Sequence, residues 1–158
     1  MTVKCYVTIV GARQGDFKGE STDAGHEGAI EGLSADYVLT SPLDDGAGHS
    51  GRRPQHVPFQ ITMASGPATP QLLQAMVTDE QLKSVTIDFA QPPSEQGKVV
   101  ESIVITNARI VDFQHQLNPD PAAATAGGGQ LLDRVGLEFQ TFQITSTTGN
   151  TSATDTWQ

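Results

Sequence analysis

The sequence alternates apolar and polar residues through most of its length, which is typical of β-strands with one buried and one exposed face. The strand-like segments are residues 3–10, 29–40, 57–64, 82–90, 98–113 and 134–146. A parallel sheet would need several crossover helices, and the sequence offers only one. The pattern therefore predicts a mainly β protein: an antiparallel β-barrel or a sandwich of two sheets, with one short α-helix on its flank.

The helix signal follows the third of these segments. Thr69 is a suitable N-cap and Pro70 a suitable first helical residue, where a missing N–H carries no penalty. A helix of about ten residues is too short to be stable alone, so it must lie on the sheet. Asp79 and Glu80 are interpreted as a solvated helix end. The apolar stripe expected to pack on the sheet consists of Leu72, Leu73, Met76 and Val77.

Two strand segments contain irregularities. The β-branched run of residues 98–113 is interrupted at residues 107–109, which predicts a bent strand or a β-bulge. In the final segment, apolar residues change phase between Phe139 and Phe142, and this predicts a second bulge.

Length and charge limit the possible partners. At 158 residues the chain fits one domain, expected to span residues 1–158 with a polar C-terminal tail at 147–158. A formal net charge of −9 repels phosphate backbones, so nucleic acid is not an expected partner. No apolar run approaches the roughly 18 to 20 residues of a membrane span, so membrane insertion is not expected. The N-terminal segment has no signal-peptide pattern, which predicts a cytoplasmic chain whose export would not use a Sec signal.

Residues that could support catalysis or hold a metal are scattered. Cys5 lies in an alternating apolar strand, where a buried structural thiol is expected. The sequence contains no Gly-x-Ser-x-Gly motif, and its triple glycine lacks the Gly-Lys-Ser/Thr ending of a phosphate-binding loop. We therefore expect no enzyme activity, no cofactor and no metal. The histidines lie in four separate segments without two-ligand spacing: His26, His49, His56 and His115.

The connection between residues 42 and 58 is the most informative loop. It is polar and about 17 residues long, and unstructured connections of that length inside a small domain are usually functional. Arg52 and Arg53 form an adjacent basic pair on an acidic chain, either as solvated loop charges or as partners for a neighbouring subunit. Trp157 lies in a disordered tail or docks on a protein surface, and docking is favoured. The expected subunit contacts are Asp44, Asp45, Arg52, Arg53, Gln55, His56 and Val57.

Several short segments are weak family signals individually, but their order and spacing along the chain are specific. They are residues 5–9 with Gly11, Gln14 and Gly15, then residues 51–59, 70–75, 108–113 and 155–157. In this order they resemble the haemolysin-coregulated protein (Hcp) family, the tube subunits of bacterial type VI secretion systems. Residues 51–59 are similar to the family's His-Lys-Pro-Phe entry into the third strand, and residues 70–75 fit its Pro-x-Leu-Leu-x-Ala pattern. Val57 departs from the family, which usually has a basic residue after the histidine.

The resemblance implies a flattened β-barrel with a lateral helix, six copies of which form a ring. Rings would stack into a hollow tube that holds effector proteins, lies inside a contractile sheath and is expelled with a spike. Head-to-tail rings need two different complementary surfaces on each subunit, and long loops on a rigid barrel are suited to supply them. The loop at residues 41–58 would then reach an adjacent subunit or the next ring.

Other readings of the sequence remain open. A phage-type or extracellular contractile-injection tail-tube protein would share the architecture and differ only in context. A monomeric barrel that binds a small ligand or carbohydrate is a second class. The third class is a metal-assisted hydrolase, which would use His49, His56 and Asp44.

Overall fold

The computed structural model describes residues 3–40, 55–92, 94, 96–119 and 129–156. No helix in these ranges is long and apolar enough to span a membrane. Their elements are β1 (Lys4–Gly11), β2 (Gly15–Asp16), β3 (Ile30–Asp36), β4 (Leu39–Thr40), β5 (Gln55–His56), β6 (Phe59–Ala64), α1 (Thr69–Val77), β7 (Leu82–Ala90), β8 (Val99–Pro119), β9 (Gly129–Glu138), β10 (Thr141–Ser146) and β11 (Thr151–Thr156).

Six strands close into an antiparallel barrel. They pair in the order β8-β7-β1-β3-β6-β9, and β9 pairs again with β8. Strand β10 extends the sheet from β8, and β11 forms the edge beyond it. The predicted fold class, a mainly β antiparallel barrel with a short helix packed against it, is confirmed.

The longest strand, β8, changes partner at the predicted irregularity. Residues 101–106 pair with β10, whereas residues 109–119 pair with β9. Between them Asn107 has φ of +54°, a left-handed conformation that asparagine tolerates better than most residues. Its side-chain amide donates a 2.6 Å hydrogen bond to Oε1 of Gln140, which lies at the break between β9 and β10. The predicted bend in β8 and the phase change in the last segment therefore occur at the same corner of the sheet, the first in β8 and the second between β9 and β10.

The barrel interior is filled by the apolar face of each strand. The alternation predicts one inward face on each of β1, β6 and β7, and these faces are mostly buried, although Cys5 and Phe89 are half-buried and Val3 and Val57, just before β1 and β6, are exposed. At one end of the barrel the ring of Phe59 lies 5.8 Å from Tyr37 and 6.3 Å from Phe142, centroid to centroid. Tyr37 stacks on Phe142 at 4.2 Å, and burial raises the pKa of its phenol. Aromatic rings at these spacings add to the stabilisation from burial itself.

Helix α1 differs from its prediction in two respects. The N-cap is Ala68 and not Thr69, because Thr69 is already helical and its hydroxyl hydrogen-bonds to Asp133. Leu72 is buried as predicted, but Leu73 and Val77 are 48% and 69% exposed. The buried face is narrower than the predicted stripe, so part of the apolar surface of the helix points away from the core.

The predicted polar tail contains a regular strand. Residues Thr151–Thr156 pair with β10 in continuous register, from Thr141 opposite Thr156 to Ser146 opposite Thr151. Every residue of β11 is exposed, so backbone hydrogen bonds hold this strand rather than a buried face. Trp157 lies outside the described residues.

A polar cluster holds the connection between β2 and β3 against the outer face of β1. Asp23 accepts hydrogen bonds from the Tyr6 hydroxyl and, at 2.8 Å, from Lys4 Nζ. Hydrogen bonds from Lys4 and Tyr6 lower the pKa of the Asp23 carboxyl. The His26 ring stacks in parallel on Tyr6 at a centroid distance of 4.0 Å. The start and the end of this connection meet at Gly19, whose N–H donates to the Gly28 carbonyl at 2.9 Å.

Candidate functional site

All of the predicted subunit contacts in the loop lie in the sequence between the end of β4 and the start of β6. Gln55 and His56 form β5, which pairs with β4 so that His56 lies opposite Leu39 and Gln55 opposite Thr40. The other residues proposed from the sequence for contact, tail docking or hydrolysis lie outside the described ranges: Asp44, Asp45, His49, Arg52, Arg53 and Trp157.

Three apolar side chains are exposed where this loop leaves the barrel. Val38, Leu39 and Val57 are each exposed by nearly half, at 46%, 47% and 44%. The Val57 N–H donates to the Val38 carbonyl at 3.3 Å, and β4 pairs with β5 beside this bond, so the three residues lie close together in the chain, with Val38 and Val57 on one face and Leu39 on the other. We call them the loop-root patch. Of the predicted contact residues, Val57 belongs to it.

A buried carboxylate attaches the start of α1 to the barrel. Asp133 is 1% exposed and accepts hydrogen bonds from the Thr69 hydroxyl and from Nδ1 of His115, the latter at 2.6 Å. Ser65 Oγ lies 3.0 Å from the Thr69 hydroxyl. Because a buried carboxylate is costly unless it is hydrogen-bonded, this network fixes the position of the helix relative to β8 and β9.

A second buried carboxylate fixes the other end of α1. Glu80 is 2% exposed and accepts hydrogen bonds from the backbone N–H of Arg13 and of Gln14, at 3.0 and 2.9 Å. The Gln14 side-chain amide donates to its other oxygen at 3.0 Å. Burial by itself raises the pKa of Glu80, but the backbone N–H groups of Gln14 and Arg13 outweigh it, so the pKa is lowered. The interpretation of Glu80 as a solvated helix end is therefore wrong.

The Glu80 carboxylate predicts a loss of stability in acid. Its pKa is lower folded than unfolded, so its contribution is present above the unfolded pKa of a glutamate and lost as pH falls through the folded pKa. We expect Glu80→Gln to reduce the free energy of unfolding at pH 7 by about 1–3 kcal/mol. The variant should also lose less stability than the wild type between about pH 5 and pH 3.

Urea titrations of both proteins across this pH range measure the effect. Glu138→Gln, at an exposed carboxylate at the end of β9, is the matched control and should leave the curve unchanged. Equal acid sensitivity in the Glu80→Gln variant and the wild type would contradict the prediction.

Contacts at both of its ends place α1 beside the C-terminal half of β8. Thr69 is tied to Asp133 at one end, and Asp79, just after the helix, forms a 3.1 Å ion pair with Arg109 of β8 at the other. Leu73 and Val77 follow Thr69 at intervals of four residues, and they lie on the side of the helix turned away from its buried residues, Leu72 and Ala75. The ends of the helix thus determine where its exposed apolar residues lie.

Strands β8 and β9 also carry exposed apolar residues. Leu117 and Leu131 lie opposite each other on β8 and β9 and are 61% and 49% exposed, and the Ser65 N–H donates to the Leu131 carbonyl at 3.1 Å. Val111 is 40% exposed, two residues from Arg109. We call the exposed large apolar residues of α1, β8 and β9 the helix-edge strip: Leu73, Val77, Val111, Leu117 and Leu131.

The remaining groups of potential chemical interest have structural surroundings. His26 is stacked on Tyr6, and His115 is bonded to Asp133. Within the described ranges, no three histidine, cysteine, aspartate or glutamate side chains are placed to share a metal ion. Cys5 is half-buried, and burial raises the pKa of its thiol to about 11, so it is almost fully protonated at neutral pH.

The sequence did not predict the burial of either carboxylate. Asp133 had a detectable signal, because it lies in phase with Val135 and Leu137, two residues of β9 that face the core. Glu80 had none, because its donors Arg13 and Gln14 are distant in the sequence and meet it only in the folded chain.

Comparison with known proteins identifies the family that shares this architecture. The family described as "Type VI secretion system effector, Hcp" matches residues 6–146. The "Major exported protein" of Pseudomonas aeruginosa is 25% identical over 173 aligned positions, which cover 100% of this chain and 97% of that protein.

Solved structures agree on the fold. A crystal structure described as an Hcp protein superposes with a TM-score of 0.84 at 21% identity, covering 99% of each chain. The secreted protein Hcp3 from Pseudomonas aeruginosa gives a TM-score of 0.77 at 22% identity, again over 99% of each chain. Since the family match spans nine-tenths of the chain, from Tyr6 to Ser146, the protein belongs to the Hcp family of type VI secretion system proteins.

Proposed function

We propose that this chain is the structural tube subunit of a type VI secretion system. Six copies form a ring, and rings stack into a hollow tube that carries or chaperones effector proteins in its lumen. The tube assembles in the cytoplasm inside a contractile sheath and is secreted with the spike, without a Sec signal. The role is structural, with no catalysis and no cofactor.

The observation that carries this proposal is the distribution of exposed apolar side chains. The loop-root patch and the helix-edge strip are separate surfaces on one barrel, and together they hold eight of the ten exposed large apolar residues in the described ranges. Grouped exposed apolar side chains mark candidate interaction sites, and two different sites on one chain permit head-to-tail association. Membership of the Hcp family favours self-assembly as the outcome.

The loop between residues 41 and 58 supplies further contacts to a neighbouring subunit or ring in this proposal. We assign them to Asp44, Asp45, Arg52, Arg53, Gln55, His56 and Val57. Trp157 follows directly after β11 and is proposed to dock on a protein surface. A monomeric ligand-binding barrel is not favoured, because side chains from all six strands fill the interior.

Purified protein is expected to form rings. Size-exclusion chromatography with light scattering should give a mass of about 100 kDa, six times the 16.7 kDa chain, and negative-stain electron microscopy should show annular particles. Apolar contact drives the association, so the ring should persist at moderate salt. A mass of one chain at every concentration tested, with no annular particles, would contradict the proposal.

A further inference from the structure

We propose that Trp157 docks on its own chain, against the aromatic rings of Tyr37, Phe139 and Phe142 at the end of the barrel. Trp157 lies outside the described residues, and its place is inferred from the strand that precedes it and from the residues that this strand meets. The inference rests on the docking of Trp157 in the proposed function and specifies the surface that receives it, but it does not require the ring.

The alignment of four strands directs the end of β11 towards the start of β6. Strands β9 and β10 follow one another along the same edge of β8, because residues 129–138 pair with residues 109–119 and residues 141–146 pair with residues 101–106. On their other edge, β9 pairs with β6 and β10 pairs with β11. Both outer strands are antiparallel to this shared partner, so β11 ends where β6 is about to begin.

The gap between these two strands is short. The last pair of β11 is Thr156 opposite Thr141, and the first pair of β6 is Phe59 opposite Leu137. Only residues 138–140 separate the two pairs along β9 and β10. Continuation of the β11 register by one residue would bring Trp157 opposite the second half of this gap, beside Phe139.

The alternation of the strand determines which face Trp157 shares. Asp155 lies directly opposite Phe142, so the two side chains project from the same face of the sheet. Trp157 comes two residues after Asp155 and therefore projects from this face as well. Tyr37, which stacks on Phe142 at 4.2 Å, covers the same face. The pKa of the Tyr37 phenol agrees with this arrangement, because burial raises it first and the negative charge of Asp155 raises it further.

The rings at this end of the barrel offer suitable contacts for an indole. Phe139 lies 5.7 Å from Phe142 and 6.1 Å from Tyr37, centroid to centroid. Phe139 and Tyr37 are only partly buried, whereas Phe142 is buried. Aromatic pairs at such spacings are more favourable than burial alone. Docking here would give β11 the apolar contact that its own residues lack, since all of them are exposed.

Fluorescence tests the docking directly, because Trp157 is the single tryptophan of the chain. We expect the folded protein to emit at shorter wavelength than the urea-unfolded protein and to be less accessible to acrylamide. Phe139→Ala should move the emission to longer wavelength and raise the quenching constant about twofold or more, because the indole loses a ring contact. Phe89→Ala is the matched control: Phe89 is also partly buried, but it pairs with Glu101, four residues along β8 from the partner of Phe142.

Cross-linking shows which chain receives Trp157. Val57→Cys, just before β6, and Gln158→Cys, next to Trp157, are combined in a Cys5→Ser background and treated with a short bis-maleimide. We expect a link within one chain, seen as a monomer band on a denaturing gel whose digest joins residues 57 and 158. Covalent dimers that neither single variant forms would overturn the inference, because they would place Trp157 on a neighbouring copy. Absence of any link would overturn it too.

Removal of the indole provides a third measurement that leaves the core intact. Trp157→Ala should lower the hydrogen-exchange protection of the β11 amides about tenfold or more, because only backbone pairing would then hold this strand. Trp157→Phe should restore much of the protection. Thr154→Val, exposed on the opposite face of β11, is the control and should leave it unchanged.

The outcomes separate this inference from the proposed ring. Unchanged protection in the Trp157→Ala variant would overturn the inference, whatever mass light scattering gives for the wild type. A wild-type protein that is monomeric but shows the expected fluorescence, internal link and loss of protection would remove the proposed ring and leave the docking of Trp157 in place.

Discussion

Truncating Phe59 to alanine is expected to lower the free energy of unfolding by about 3–5 kcal/mol. The side chain is 1% exposed, and its ring lies within 6.3 Å of the rings of Tyr37 and Phe142, centroid to centroid. Alanine would leave a cavity at the end of the barrel from which the long loop departs. The surrounding strands are held by backbone hydrogen bonds on both sides and cannot collapse to fill it.

Urea unfolding followed by circular dichroism measures this loss. Leu33→Ala is the control, because Leu33 is 48% exposed at the register shift in β3, and the change should stay within about 0.5 kcal/mol. A Phe59→Ala protein as stable as the control would mean that the aromatic cluster is not part of the cooperative core.

Gly19→Ala is expected to cost about 3 kcal/mol or more. A Cβ atom at this position would lie 2.1 Å from both the carbonyl carbon and the carbonyl oxygen of Ala29. Both are backbone atoms within a hydrogen-bonded loop, so the clash cannot be relieved by rotating a side chain. We expect the connection between β2 and β3 to detach from β1 or the whole domain to unfold at lower denaturant concentration.

Hydrogen exchange distinguishes these two results by residue. Gly15→Ala is the control: its φ of +71° disfavours alanine, but no neighbouring atom lies within 4 Å of the added Cβ. That variant should cost about 1 kcal/mol from backbone strain alone. Equal stabilities of the two variants would show that the close approach at Gly19 is not maintained in solution.

The strand framework was predictable because burial on one face imposes a period of two. Phe59, Ile61 and Met63 are buried as the alternation indicated. The corner in β8 was predictable in outline from residues 107–109, although its cause is a change of strand partner. Strand β11 was not predictable from the sequence, because its residues have no apolar face and backbone pairing alone defines it.

The helix shows why an apolar stripe is ambiguous. Leu72 and Leu73 are adjacent and equally apolar, yet one is buried in the core and the other is half-exposed. The periodicity of a helix reports which residues prefer to leave water, but it does not say whether the covering surface belongs to the same chain. In an assembling protein, that difference separates core from interface.

Contacts between distant segments set the remaining limit. The carboxylates of Glu80 and Asp133 became buried because donors from other strands and loops converge on them, and single-sequence patterns do not encode that convergence. The predicted contact residues of the long loop and Trp157 lie mostly outside the described ranges and stay predictions.

The composition of β11 has a consequence for the free subunit. An open sheet edge is a template for fibril-like aggregation with the edge of another copy. The edge strand here carries threonine, serine, alanine and aspartate, all exposed, so two such edges would gain no dry apolar interface by stacking. Aberrant pairing at this edge would therefore rest on backbone hydrogen bonds alone, without the side-chain packing that stabilises fibrils.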